Sequence, residues 1–276
     1  MVIRRGGTGM LIVGELINTS RTEIKTAVLN RDAETIQQVA KAQEAAGATY
    51  LDVNCGNLVE QEIAAMGWLV DTIQEVSALP LSIDSPNPAA LSEGLQRARH
   101  GQPMINSISN ETARWQAVLP LVLEYRTKII ALCIEDSGMP KGLEDRLRIA
   151  DSVINRLVQA GVPLEAIYID PLVTPISTDQ KTGKILLKVI RTIMEGYPGV
   201  HTICGLSNIS YGLPARKVLN RLFMVQTMSA GMDSYILNPT DKGMLGSLKG
   251  SMALLGLDRH CRAYNNAYRE GLYDHA

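Results

Sequence analysis

Six short apolar runs in this chain each end in a carboxylate or an amide: LIVGE at Glu15, YLDVN at Asp52 and Asn54, LSID at Asp84, MIN at Asn106, YID at Asp170 and ICGLSN at Asn208. Runs of this length, separated by helical segments, read as parallel strands. Polar groups at the carboxyl ends of parallel strands are where such folds build their sites. Many donors and acceptors converging on one rim suit a flat ligand rich in hydrogen-bonding groups. The histidines argue against other chemistries. His201 opens one apolar run and His100 precedes another, which puts both near the opposite face, while His260 and His275 lie in the C-terminal tail. A Ser-His-Asp triad or a histidine-rich metal site is therefore not expected, and no metal site is apparent. Neither a GxSxG elbow nor a phosphate-cradling GxxxxGK-S/T loop occurs.

The elements that must position these residues alternate. Strands are expected at about 11–16, 49–53, 80–84, 104–108, 128–134, 166–170, 201–206 and 233–237. Helices are expected at about 32–46, 60–77, 88–99, 111–125, 142–160, 183–195, 214–230 and 240–256, with an extra one over 258–272. Gly47, Gly161 and Gly231 fall where glycines close helices. Eight β/α units without a linker predict a (β/α)8 TIM barrel, one domain over 10–265 with terminal extensions at 1–9 and 266–276. A doubly wound open sheet would carry a glycine fingerprint in its first βα turn; here that turn reads GELINTSRTE. In a barrel, Glu15, Asp52, Asn54, Asp84, Asn106, Glu135, Asp136, Asp170, Ser207 and Asn208 gather on one face. Each also has a plainer explanation, since Asp and Asn after a strand often cap the next helix. Asp84, in IDSPNP, would cap the helix at 88, and Asn106 and Ser109 would begin the one at 111.

The composition narrows the partners. A net charge of −1 and 4% aromatic residues give no footprint for nucleic acid, an anionic membrane surface or base stacking. Cys55, Cys133, Cys204 and Cys261 are widely spaced, with no CxxC pair, so neither a disulfide framework nor a structural zinc is indicated. Cys133 and Cys204 sit inside apolar strands and read as packing residues. No run approaches the ~20 apolar residues of a membrane span. Arg4-Arg5 precedes an apolar stretch, Met10 to Val13, too short for a signal peptide. A cytoplasmic protein is expected, with Met10 a possible natural start.

The segments GELIN, LDVN, SIDSPNP, INSIS, YIDPLVTPIST and GLSNISYGLP occur in this order at these strand ends. In them the chain resembles the pterin-binding methyltransferases, and most of all the methylcorrinoid:tetrahydrofolate methyltransferases of anaerobic one-carbon metabolism. The resemblance runs over roughly 10–265. It implies that Asp84, Asn106 and Asp170 anchor the 2-amino-4-oxo edge of a pterin ring, whose N–H groups suit carboxylates. It implies that Asn208 reaches N5, where the methyl group is transferred. Gly205 and Ser207 match the loop around it, Glu15 and Asn18 the GE-x-IN signature, and Asp52 and Asn54 the cluster after the second strand. Tyr211 and the pair Glu135-Asp136 match less closely, and the pair reads better as ordering its own loop.

The implied reaction is methyl transfer between a corrinoid cobalt and N5 of tetrahydrofolate, giving 5-methyltetrahydrofolate and cob(I)alamin and running in either direction. It needs no side-chain nucleophile. The protein's contribution is then positioning, with solvent as the proton source. The chain lacks the DxHxxG motif of base-off cobalamin domains, so methylcobalamin, or a related corrinoid, would arrive on a separate corrinoid protein. Relatives lead one to expect a homodimer. Two other readings compete. A dihydropteroate synthase would carry an STRPG-like loop after the second strand and a lysine-bearing loop, where this chain has CGNLVEQE and GLSN. A catalytically idle pterin-binding subunit would not need Asn208.

Overall fold

A computed structural model describes residues 10–273. Eight strands, β1 Leu11–Asn18, β2 Tyr50–Asn54, β3 Leu81–Asp84, β4 Met104–Ser109, β5 Lys128–Leu132, β6 Ile167–Asp170, β7 His201–Thr202 and β8 Ser234–Leu237, pair in parallel in the order β7-β6-β5-β4-β3-β2-β1-β8. A bridge between Gly205 and Ile236, with the Ile236 N–H on the Cys204 carbonyl at 3.0 Å, joins the last two strands and closes the barrel. The helices pack outside: α1 Thr22–Leu29, α2 Ala33–Ala45, α3 Glu62–Gln74, α4 Pro88–Arg97, α5 Thr112–Tyr125, α6 Gly142–Gln159, α7 Thr182–Gly196, α8 Arg216–Ser229, α9 Lys242–Leu254 and α10 Arg262–Arg269. This is the expected (β/α)8 barrel. Among the described residues no helix is long and apolar enough to cross a membrane.

The register fixes the rim. Asn18 lies opposite Asn54, Asn54 opposite Asp84 and Asp84 opposite Asn106. Four polar residues from four strands thus stand side by side at one level, and Asp170 pairs with Leu132 further round. Below them Val13, Tyr50, Met104, Ile130, Tyr168 and Ile203 fill the barrel interior. The amino-terminal end is stoppered by His201, stacked on Tyr168 at 4.6 Å and 2.7 Å from the Asp233 carboxylate. His201 therefore lies at the end away from the polar row, as its place in the sequence implied.

Several boundaries differ from expectation. Residues 19–31 hold a helix, α1, where a loop was expected; Ile24, Ala27 and Val28 bury its inner face at helical spacing. The stretch at 60–77 is a 3₁₀ turn, Gly56–Gln61, followed by α3. The region 258–272 likewise starts with a turn at Arg259–Cys261 before α10, which runs across residue 265 and buries Ala267. The seventh strand has two residues instead of six: Ile203 and Cys204 stay buried, but the chain leaves the ladder to turn over Leu206–Ser210. The expectations for 1–9 and for His275 fall outside the described residues.

β1 carries a register shift between Gly14 and Ile17. There Gln43, fully buried on α2, accepts the Leu16 N–H at 2.9 Å, taking over a main-chain partner's role. A Cβ on Gly14 would stand 2.5 Å from that Gln43 oxygen, so only glycine allows the approach.

Candidate functional site

The polar row is a hydrogen-bonded network. Asn54 Nδ2 donates to Asp84 Oδ2 at 2.7 Å, and Asn54 Oδ1 accepts the Gly56 N–H at 3.2 Å. Asp52 points into the barrel below this level, where Ser82 Oγ donates to it at 2.7 Å and Asn106 Nδ2 reaches it at 3.4 Å. Asn18 accepts the Ser20 N–H at 2.9 Å and shapes the turn after β1. On β6, Asp170 accepts the Leu172 N–H at 2.8 Å. Glu15 stands half-buried at the shifted stretch of β1.

Among the described residues none of Glu15, Asp52, Asp84 and Asp170 belongs to an ion pair. Burial disfavours the charged form of each. It pushes Asp170 up to about 7, against the Leu172 hydrogen bond. It raises Asp52, with the nearby Asp84 charge adding to the effect. It raises Asp84, opposed by the Asn54 hydrogen bond and the Arg114 charge. It raises Glu15, opposed by Arg21 and Arg216. Desolvated carboxyls without a direct ion pair suit a neutral ligand with N–H donors, which restores hydrogen bonds and keeps the charged form.

The capping alternatives are resolved. Asn87 caps α4, accepting the Ala89 N–H at 3.0 Å, and leaves Asp84 to the network. Asp136 accepts the Thr112 N–H at 2.9 Å at the start of α5, and Asn106 takes no part there. Ser109 does serve that start, donating to Glu111 at 2.8 Å. Glu135 forms a two-pronged pair with Arg148, at 2.8 and 2.6 Å, which holds its carboxyl down at about 2. Glu135 and Asp136 are therefore bound up in ordering their loop.

The opposite arc differs. Gly205, Ser207 and Asn208 belong to the turn after β7. The Asn208 side chain is exposed, and the Asn208 carbonyl accepts the Tyr211 N–H at 3.1 Å. Two cavities open on the rim. One of about 310 Å³ is lined by Asp84, Asn106, Ser107, Ser109, Arg114 and Leu132. The other, about 160 Å³, is lined by Glu15, Ser207, Asn220, Asn238, Asp241 and Met244. Asp52 lies beneath the first. Sequence reading missed Arg114, Glu62, which accepts a hydrogen bond from Ser85 at the foot of the same wall, and the second cavity's Asn220, Asn238 and Asp241. Asn238 and Asp241 follow β8 as the others follow their strands, so the same signal would have found them.

Residues 14–238 match the family model described as pterin binding enzyme. A methylcorrinoid:tetrahydrofolate methyltransferase from Eubacterium limosum is 36% identical over 264 residues, which is 95% of this chain and 97% of that protein. A methionine synthase from Mycobacterium leprae is 32% identical over 242 residues, 83% of this chain but 20% of that much longer protein. Among solved structures, a dihydropteroate synthase from Xanthomonas albilineans in complex with 7,8-dihydropteroate superposes with a TM-score of 0.68 at 18% identity, covering 90% of this chain and 94% of that one. A dihydropteroate synthase from Coxiella burnetii gives 0.69 at 15% identity over 90% and 95%. At such identities these two likenesses show the fold alone. The family anticipated from GELIN, SIDSPNP and GLSNISYGLP is the one found: the chain belongs to the pterin-binding enzymes and, within them, groups with the methylcorrinoid:tetrahydrofolate methyltransferases.

Proposed function

We propose that this protein is a methyltransferase that moves a methyl group between a protein-borne corrinoid and N5 of tetrahydrofolate. The observation that carries the reading is 36% identity spread over 95% of the chain and 97% of a methylcorrinoid:tetrahydrofolate methyltransferase. The site agrees with it. Asp84, Asn106 and Asp170 would take the N–H edge of the pterin, and Asn54 and Asp52 brace the first two. Asn18, beside Asn54, extends that wall, and Glu15, Gly205 and Ser207 would frame the rest of the ring.

Asn208 is the residue for N5. Its amide does not titrate and presents a donor and an acceptor at once, so it serves N5 in both protonation states. As methyl acceptor N5 must be unprotonated, and in the reverse direction it needs a proton or a strong hydrogen bond to leave. The corrinoid supplies the methyl group, the electron pair of the cobalt–carbon bond staying with cobalt. Neither rim cavity, at about 310 and about 160 Å³, would enclose a corrin macrocycle, which fits a corrinoid that stays on its carrier and docks over the rim. We take residues 10–265 as the catalytic unit, acting in the cytoplasm. We also take the protein as a homodimer, in which Val218 and Leu222, one turn apart on α8 and each 55% exposed, would be covered.

The test is an anaerobic absorbance assay with tetrahydrofolate and either methylcobalamin or a methylated corrinoid protein. Folate-dependent loss of the methyl–cobalt spectrum with appearance of cob(I)alamin is expected. Folate binding without reaction from either donor would instead indicate an idle pterin-binding subunit.

A further inference from the structure

Three arginines stand in the first turn or just beyond it of three rim helices, and each gives its guanidinium to a loop that carries a site residue, through one or more main-chain carbonyls. Arg114, on α5, donates to Ser85 O at 2.9 Å, Pro86 O at 2.7 Å and Ser107 O at 2.8 Å, thereby tying the loops after Asp84 and Asn106 together. Arg146, on α6 and 4% exposed, donates to Pro171 O at 2.9 Å, Leu172 O at 3.3 Å and Gly142 O at 3.0 Å, just past Asp170. Arg216, opening α8, donates to Ser207 O at 2.6 Å and Ser210 Oγ at 3.1 Å, on either side of Asn208.

These positions are unfavourable for a cation. The helix dipole presents its positive end there, and burial lowers the pKa of both Arg114 and Arg146. Among the described residues none of the three arginines belongs to an ion pair. What Arg114 and Arg146 have is three carbonyl oxygens each, and Arg216 a carbonyl and a hydroxyl, which a rigid planar fork spans from fixed positions and a compact ammonium does not. The loop under Arg146 also needs holding. Leu172 sits at φ +61°, a region that disfavours a side chain. Its N–H is bound to Asp170 and its carbonyl to Arg146, so the arginine fixes the backbone that aims the anchor.

We infer that Arg114, Arg146 and Arg216 are positioning residues: the first two set the pterin-anchoring carboxylates and amide, and the third sets the turn that presents Asn208. This rests on the proposed function and makes a divided prediction. In the full chain, with tetrahydrofolate varied against methylcobalamin or a methylated corrinoid protein, Arg114→Lys and Arg146→Lys should raise the KM for tetrahydrofolate at least fivefold and leave kcat within twofold. Arg216→Lys should lower kcat at least fivefold and leave that KM within twofold. Asp170→Ala serves as the reference. If it leaves folate binding unchanged, the site assignment fails. If it weakens binding while the KM of Arg114→Lys and of Arg146→Lys stays at the native value, the clamps are refuted. Loss of kcat and KM together, in step with the folded fraction by circular dichroism, would also overturn the inference in favour of a purely structural role. Should Arg146→Lys fail to fold, the half-buried Arg114 and the exposed Arg216 decide the matter, since the split between KM and kcat lies between those two.

Discussion

The arc over β2–β4 and the arc over β7–β8 are built in opposite ways. On the first, Asn54, Asp84, Asp52, Ser82 and Asn106 bind one another before any ligand arrives. On the second, β7 is two residues long, the barrel closes through one bridge, and the amide of Asn208 is exposed. The difference matches the two tasks of the proposed function. Recognition of a rigid heterocycle profits from donors and acceptors already in place. A residue that follows a nitrogen through two protonation states needs freedom to turn.

The contrast can be broken by mutation. Asp84→Ala should have the largest effect, weakening tetrahydrofolate binding by about 100-fold, the loss of one or two charge-assisted hydrogen bonds at ~1.5–3 kcal/mol each; equilibrium titration measures it. Asn208→Ala should lower kcat by at least ~10-fold, about 1.4 kcal/mol of transition-state stabilisation, and leave the dissociation constant within about twofold. Were Asn208→Ala to abolish binding and Asp84→Ala only to slow turnover, the two arcs would exchange roles.

Acidity sharpens the comparison. In the proposed function Asp170, held up at about 7 by burial, would bind the pterin edge as a carboxylate. Folate affinity should therefore fall as pH drops below about 7, approaching tenfold per unit, and Asp170→Asn should flatten that profile. Stability runs the other way. The folded state holds this proton more tightly than the unfolded chain, whose carboxyl titrates near its ordinary value. The free protein should thus lose stability from about pH 4 up to about 7 through this group. Asp170→Asn should raise the melting temperature at pH 8 and change it little at pH 4, while weakening binding. An unchanged melting temperature at pH 8 would show that the buried carboxyl is not strained. The smallest effect belongs to a residue outside both arcs: Asn87→Ala should lower stability by ~1 kcal/mol through its lost cap, measured by denaturant titration, with kinetic constants intact.

Strand ends and their polar residues were legible because a parallel strand writes a local signature: a few apolar residues and then a change of character. What was illegible depends on distant partners. Nothing near Gln43 announces that it completes β1, and the arginine clamps join residues up to 29 positions apart. β7 misled because burial and ladder pairing usually coincide, and at Ile203 and Cys204 burial outlasts the strand. α1 left a signal that was passed over, Ile24, Ala27 and Val28 at helical spacing. The caps could not be assigned from sequence, since Asp84 and Asn87 in IDSPNP are equally good candidates and only geometry selects Asn87.

The level row of Asn18, Asn54, Asp84 and Asn106 also bears on how this protein can change over generations. Side chains alternate between the two faces of a strand, so adding or deleting one residue within β2 or β3 would turn its polar end from the lumen into the helical layer. Insertions in the outer loops and helices leave the row untouched. Length variation among descendants of this chain should therefore collect between strands and spare them, with the sheet acting as a ruler against which lineages can drift everywhere else.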